Sequence, residues 1–571
     1  MSEWQPQLKK SPSKTLLRLI MDETKVNEKT TWDPGSDCVV GLVGRGDNDA
    51  TSRSFSTYDN ALKVERAYNE EKLMLATDAT VYALGAQSPS AYAAKPLLAL
   101  GYRKDMCGAE LQLRTIKLIV KIINEDPEIG GALGVISSFA TDGDHERRQV
   151  FATLMSKLLS EKDGRLFDLL KSLPLLDLMV GPNNETVDYD WKHLLKRLRN
   201  FLINSILRGL TIGACTLTRM YIKLFLEAVG TDSKLIDSLM DISDKQNVPK
   251  AMQFLDLIGS FDFAKLKGSQ CSPELVVLVP SFEVLSFLCR MLIEPLKNVS
   301  LSLTEQITCM SAASHTLFVL HLMSRDKSVR DGTDAGTFLP NQLTHDFQDT
   351  IKNAVVSIAK AQVIDPTMKF FVLTTGSDEL EKVFGAVRTQ SHDRTFDLQS
   401  LSLNLTSACH LVDLAYKNPK WMKQPRRLST GPGGWDHHSP PRMTGDLVVG
   451  NINLASAWEA GKSKSIKALS SVESLAFATS QWFFNVSEKG STMLRPDGQT
   501  LFGVTTLEAE ADDESTDFES INTSASTSAN HVLTGEVDED VDPSVSFFDF
   551  CSCAEYLGDV SEEASETTDK G

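Results

Sequence analysis

No Cys-x-x-Cys pair occurs anywhere in the chain. Its nine cysteines, at 38, 107, 215, 271, 289, 309, 409, 551 and 553, follow no paired spacing. An odd count without such pairs argues against a disulfide scaffold and a standard zinc finger, so reduced thiols are the expectation. The opening residues, MSEWQPQLKKSPSK, lack the apolar core of a signal peptide. Long hydrophobic runs are missing too. The most apolar stretch, 275–296, is broken by Pro280, Glu283 and Arg290 and reads as a buried helix rather than a membrane span. Gly461-Lys462-Ser463 lacks the upstream glycine of a phosphate loop, and His437-His438 has no Cys or carboxylate partner at metal spacing. Basic residues are nearly absent from the end of the chain. Residues 504–571 hold 19 of the 76 Asp+Glu and one of the 58 Lys+Arg, so they carry the whole net charge of −18. Residues 1–503 keep 57 of each sign and are neutral. An acidic protein is a poor first candidate for nucleic-acid binding, but here the acidity belongs to the tail.

What is present divides the 571 residues into four parts. Up to about 145, short β-rich runs (15–23, 39–44, 73–85 and 134–144) surround a helical stretch at 109–125, and acids stand at strand ends. From 146 to 365 nearly everything reads as amphipathic helix, which suggests an all-helical domain inserted into an α/β chain. A β-like run at 369–377 and a helix follow, then a Pro/Gly/His-rich loop at 429–442 and a last ordered segment within 446–490. Beyond 504, Ser, Thr, Asp and Glu dominate, and disorder is the expectation. Within that tail Ser544–Phe550, with Cys551 and Tyr556, forms an apolar-acidic island, either a docking motif or a spacer.

Three acids carry the strongest candidate chemistry. Asp22 ends the run LLRLIM, Asp142 ends VISSFAT before Gly143, and Glu381 sits in a helix with the apolar stripe Leu380, Val383, Phe384 and Val387. Each singly also fits a solvated turn or a helix N-cap. Together they suit a phosphoryl-transfer site in which carboxylates converge on hard cations such as Mg²⁺. Arg147 and Arg148 follow Asp142 and could orient a phosphate or form a salt bridge at a helix N-terminus.

The segments RLIMDETKVNEKTTWDPGSDCVVGLV, ISSFATDGDHERRQVF, DYDWKHLLKRLRN and TTGSDELEKVFGAVRT occur in the order found in P-element-type transposases. The chain resembles that THAP-related DDE family, including transposon-derived fungal proteins, over roughly residues 15–465. The resemblance implies an RNase H-like catalytic domain (1–145 and 366–490) interrupted by an all-α insertion (146–365), with a disordered acidic tail (504–571). It also implies a catalytic and metal-binding triad of Asp22, Asp142 and Glu381 using Mg²⁺ or Mn²⁺. DNA at transposon ends would be the substrate, and the protein would be homo-oligomeric and nuclear, with no membrane role. The insertion of the P-element branch binds GTP, which is implied here by resemblance alone, since no NKxD-like motif is visible. No C2CH pattern of an N-terminal THAP domain occurs, so recognition of transposon ends has no assigned residues.

Two basic clusters could meet DNA. Lys192, Lys196 and Arg199 fall at i, i+4 and i+7 on one helical face, which could instead be an ordinary solvated face. Lys417, Lys420, Lys423, Arg426 and Arg427 surround Trp421 and suit backbone contact with nucleic acid, or an ordinary surface loop. Two functions follow. One is Mg²⁺-dependent DNA cleavage and strand transfer. The other is a domesticated or decayed transposase-derived scaffold without catalysis, its acidic tail recruiting an unknown protein partner.

Overall fold

The computed structural model describes residues 15–44, 53–87, 93–104, 108–125, 133–204, 209–266, 272–331, 338–390, 395–418, 440–472 and 491–495. Lys420, Lys423, Arg426, Arg427, the His437-His438 pair and the acidic tail lie outside these residues.

The chain builds a five-stranded mixed sheet from β1 (Leu16–Lys25), β2 (Asp78–Ala86), β3 (Lys95–Tyr102), β4 (Val135–Thr141) and β5 (Thr186–Tyr189). In space the order is β5-β4-β1-β2-β3. β1 pairs antiparallel with β2, and β2 antiparallel with β3. β4 runs parallel to β1, and β5 parallel to β4. The central position of β1 explains its near-continuous burial, since both of its faces are covered.

Side chains of β1 alternate between two cores. Leu17, Leu19 and Met21 enter the large core, whereas Ile20 enters a smaller one beneath α8 (Asp378–Gln390) and α9 (Leu398–Lys417). Arg18, on the same face as Ile20, forms a buried ion pair with Glu379 of α8 at 2.8 Å. A register shift opposite Leu17/Arg18 leaves Ser137 of β4 bulged. The bulge is held by the Ser137 hydroxyl donating to the Leu17 carbonyl and by the buried Lys360 ammonium donating to the Ser137 carbonyl.

The large core is continuous from the sheet into the helices. On its sheet side lie α1 (Ala109–Glu125), α2 (His145–Leu154) and α3 (Trp191–Asn204). The same core takes in α4 (Val248–Gly259), α5 (Pro273–Lys297), α6 (Leu303–Asp331), α7 (Asn341–Ile364) and α10 (Leu454–Leu469). α7 is buried on all sides and packs across β5. Within α5 and α6, Pro273–Lys297 and Leu303–Ser324 are long and apolar enough to cross a membrane; most of each apolar stretch is buried inside the protein.

Two readings of the sequence are corrected. The span 146–365 is not all helical. Residues 186–189 supply an edge strand to the main sheet, and two-residue strands at Lys157–Leu158 and Met179–Val180 pair with each other. The run TVDY is too short and polar to show strand periodicity, and its burial comes from α7 on one side and β4 on the other. The β-like run at 369–377 is a 3-10 turn at Val372–Thr374 with one bridge, Lys369 to Val448. Its apolar residues are buried in the core without a ladder partner.

Candidate active site

The carboxyl ends of β1, β4 and β5 and the start of α8 meet at one place. Asp22 lies on β1 where the antiparallel ladder to β2 continues (opposite Val81) and the parallel ladder to β4 has ended. Asp142 is the first residue beyond β4. Gly143 then takes φ +96°, which lets the chain turn into α2, where Asp144 accepts from the Glu146 amide as N-cap. Asp190 follows β5 and begins α3. Its amide donates to the Thr141 carbonyl, and its Oδ1 accepts from the amides of Lys192 and His193.

The lead-in to α8 is tied to the same strand. The Gly376 amide donates to Asp188 Oδ2 at 2.8 Å, and the Ser377 amide to Asp190 Oδ2 at 3.3 Å. Gly376 has φ +90°, and a Cβ there would sit 2.7 Å from Asp190 Oδ2, so this close approach requires glycine. The contacts place Glu381 in the first turn of α8, where acids suit the positive end of the helix.

Asp22, Asp142 and Glu381 are therefore near enough to act on one another. Burial, then the carboxylates of Asp142 and Glu381, hold the Asp22 carboxyl well above its ordinary range against Arg147 and His193. Burial acts to raise Asp142 too, but Arg147, His193 and hydrogen bonds outweigh it and leave Asp142 below the usual value. Burial and then Asp190 push Glu381 up to about 7. One buried carboxylate, Asp22, and two partly exposed ones, Asp142 and Glu381, thus share the corner.

Two protein cations balance them. Arg147, 1% exposed, donates to Asp142 Oδ1 at 3.1 Å, Glu23 Oε1 at 2.9 Å, Thr141 Oγ1 at 2.9 Å and the Met21 carbonyl at 3.3 Å. It fastens the end of β4 to the end of β1. His193 Nδ1 lies 3.2 Å from Asp190 Oδ1 and 3.5 Å from Glu381 Oε1. Burial alone would lower the imidazole, but the Asp190 hydrogen bond and charge raise it to about 9, so it is an imidazolium at neutral pH.

The donor set is chemically suited to a hard divalent cation. It offers several carboxylate oxygens, and at Asp22 the repulsion of Asp142 and Glu381, which adds to burial, is one a cation would relieve. In this conformation the carboxylates face Arg147 and His193. Among the described residues no group of three or more His, Cys, Asp or Glu is arranged to hold a metal ion.

The other sequence candidates are placed differently. Lys192 pairs with Asp378 of α8 and is largely enclosed. Lys196, 3% exposed, donates to Gln246 Oε1 at 2.7 Å. Arg199, 0% exposed, donates to the carbonyls of Leu239, Asp241 and Asp244. The expected phosphate-contacting face at Lys192, Lys196 and Arg199 is thus an internal one, and its cations satisfy a carboxylate, an amide and orphaned carbonyls. Lys417 ends α9 and is exposed.

The sequence reads His193 as a hydrogen-bonded structural histidine rather than a ligand, and it is hydrogen-bonded to Asp190; Asp188 and Asp190 are additions of the structure. A signal was present: D-Y-D directly before a helix, with an acid at the N-cap position and a histidine one turn on. Arg147, which by sequence suits a phosphate ligand or a salt bridge, forms salt bridges to Glu23 and Asp142. Arg148 turns away from the site to Asp346.

No protein-family model and no curated protein matches the chain. Among solved structures the chain is similar to the Drosophila P element transposase strand transfer complex. The TM-score is 0.41 at 14% identity, over 70% of this chain and 77% of that chain. Similarity at that level does not define a shared fold.

Proposed function

We propose that the chain is a transposase-like phosphoryltransferase acting on DNA, with an RNase H-like sheet and a DDE site at Asp22, Asp142 and Glu381. The observation that carries this reading is the convergence of three acids from distant parts of the chain. Two come from strand ends and one from the first turn of a helix, and each lies in a segment that resembles the P-element-type pattern. Asp22, Asp142 and Glu381 would hold Mg²⁺ or Mn²⁺, which would activate the attacking oxygen and stabilise the leaving one. Arg147 would keep Asp142 ionised and fixed between two strand ends. His193, held by Asp190, would keep Glu381 oriented.

The test is metal-dependent cleavage of DNA bearing the element's own ends. Wild type with Mg²⁺ or Mn²⁺ should exceed Asp142→Asn by about a hundredfold or more, the scale of lost transition-state charge stabilisation. Equal activity in the two proteins refutes the reading.

A non-catalytic scaffold is favoured by one observation: the cations of α3 serve internal contacts, so the surface offers less charge to a DNA backbone than the sequence suggested. Retained DNA binding with no cleavage by wild type would select it.

A further inference from the structure

The face of β1 that meets α8 carries Arg18, Ile20, Asp22 and Thr24, because alternate side chains of a strand point the same way. Two arginines tie α8 to this face, one near each end of the helix. At its start the enclosed Arg18 guanidinium pairs with Glu379 Oε1 at 2.8 Å, and Arg18 Nη1 donates to the Gly376 carbonyl at 3.4 Å. Near its end Arg388 Nη2 donates to Thr24 Oγ1 at 3.0 Å. Asp22 and Glu381 fall between the two ties. Gly85 of β2 stands opposite Arg18 in the ladder. A Cβ there would come within 2.8 Å of Glu379 Oε2 and 2.9 Å of Arg18 Nη2, so the lack of a side chain at 85 admits the pair to the sheet.

The interface around the pair is apolar, with Ile20, Val81, Ala83, Leu380 and Val383 in one core. Among the described residues Glu379 Oε2 and Arg18 Nε have no hydrogen-bond partner. A buried pair so incompletely satisfied adds little stability, since apolar residues of similar volume often serve as well or better. Its best-attested use is to fix register. Register is what α8 needs. Apolar packing alone loses uniqueness before it loses stability, and a slip of one helical turn would carry Glu381 about 5.4 Å along β1. Carboxylates that converge on one cation must be held to within about 0.5 Å.

We propose that Arg18 and Glu379 are positioning residues of the carboxylate site. Their ion pair sets the register of α8 on β1 and so keeps Glu381 beside Asp22 and Asp142 for a divalent cation. The inference rests on the reading of those three acids as the ligands of that cation.

The test is Mn²⁺ binding to the full-length protein, followed by the electron paramagnetic resonance of the free ion, beside urea denaturation of the same samples. Asp142→Asn should weaken binding, which ties the signal to the carboxylates. Arg18→Met/Glu379→Met should keep the urea midpoint of wild type or exceed it. It should still bind Mn²⁺ about 10–100-fold more weakly, the scale of lost support for ligands. Arg18→Lys keeps the charge and loses the planar fork, so it should lower affinity about tenfold with little change in midpoint. It carries the comparison should the double variant not fold. Wild-type affinity in these variants, with binding lost in Asp142→Asn, overturns the proposal and leaves the cation site standing. Affinity unchanged in Asp142→Asn overturns the cation site itself, and the proposal with it. Affinity that falls only in step with the urea midpoint also overturns the positioning role, because the pair then serves stability alone.

Discussion

Replacing Asp346 by Asn tests whether α7 is fastened to the helices that flank the carboxylate site. Asp346 is 0% exposed and accepts from Arg148 through both oxygens, at 3.2 and 2.8 Å, and from Arg197 Nη1 at 2.7 Å. Arg148 belongs to α2 and Arg197 to α3, so one carboxylate on α7 joins two helices. Burial acts to raise the Asp346 carboxyl, but Arg148, His345 and Arg197 overcome it and hold the group far below the carboxylate range. Asn keeps the shape and removes the charge that both enclosed guanidinium groups face. Breaking a buried ion pair from one side costs about 3–5 kcal/mol. That is about a fifth or more of the roughly 5–15 kcal/mol by which a typical domain is stable. Urea denaturation at pH 7 should show the loss as a lower midpoint with an unchanged slope. A depressed carboxyl contributes stability that is present above the unfolded value near 3.9 and lost as pH falls through the folded one. The gap between wild type and Asp346→Asn should therefore close toward acid pH. A triple replacement, Asp346→Leu with Arg148→Met and Arg197→Met, removes all three charges and should recover most of the loss. A loss below about 1 kcal/mol for Asp346→Asn, the scale of an exposed pair, refutes the joint. A triple variant as unstable as the single one refutes the electrostatic account of it.

Two further outcomes follow from the site and its surroundings. His193 is raised to about 9, so its charge contributes stability that is complete below pH 6.5 and disappears as pH rises through 9. His193→Gln should abolish that alkaline loss, on the order of 3 kcal/mol, in thermal denaturation followed from pH 6 to 10; an unchanged alkaline limb sinks the assignment. Arg199→Met strips donors from three carbonyls and should lower stability by about 2–3 kcal/mol, as leaving buried acceptors unsatisfied does. It should leave the salt dependence of DNA affinity unchanged, whereas a phosphate contact would reduce the slope of log K against log salt by about one.

β1 and β4 were legible as short apolar runs ending in acids, and the helix carrying Glu381 by its apolar stripe at helical spacing. Residues 109–125 match the helix observed to the residue. β5 was not legible: four residues cannot display alternation, and both of its faces are buried. The basic face of α3 was misread for a related reason. Spacing at i, i+4 and i+7 states only that three cations share a face, and it is silent on whether carbonyls or water stand opposite. Asp190 was not legible because an acid before a helix reads as an ordinary N-cap, and nothing local shows that its second oxygen meets the lead-in to α8.

The sequence by itself determined the α/β pattern at the start of the chain, the helical excess of its middle, the confinement of net charge to the tail and the three acids as candidates. Only the tertiary structure decided that Asp22, Asp142 and Glu381 come together, and that Arg147, Asp190 and His193 stand among them. The pairing of β1 with β4 and the seating of α8 against β5 join residues that lie more than a hundred positions apart. Local periodicity carries no information about such contacts, because they depend on which buried faces and charges complement one another across the fold.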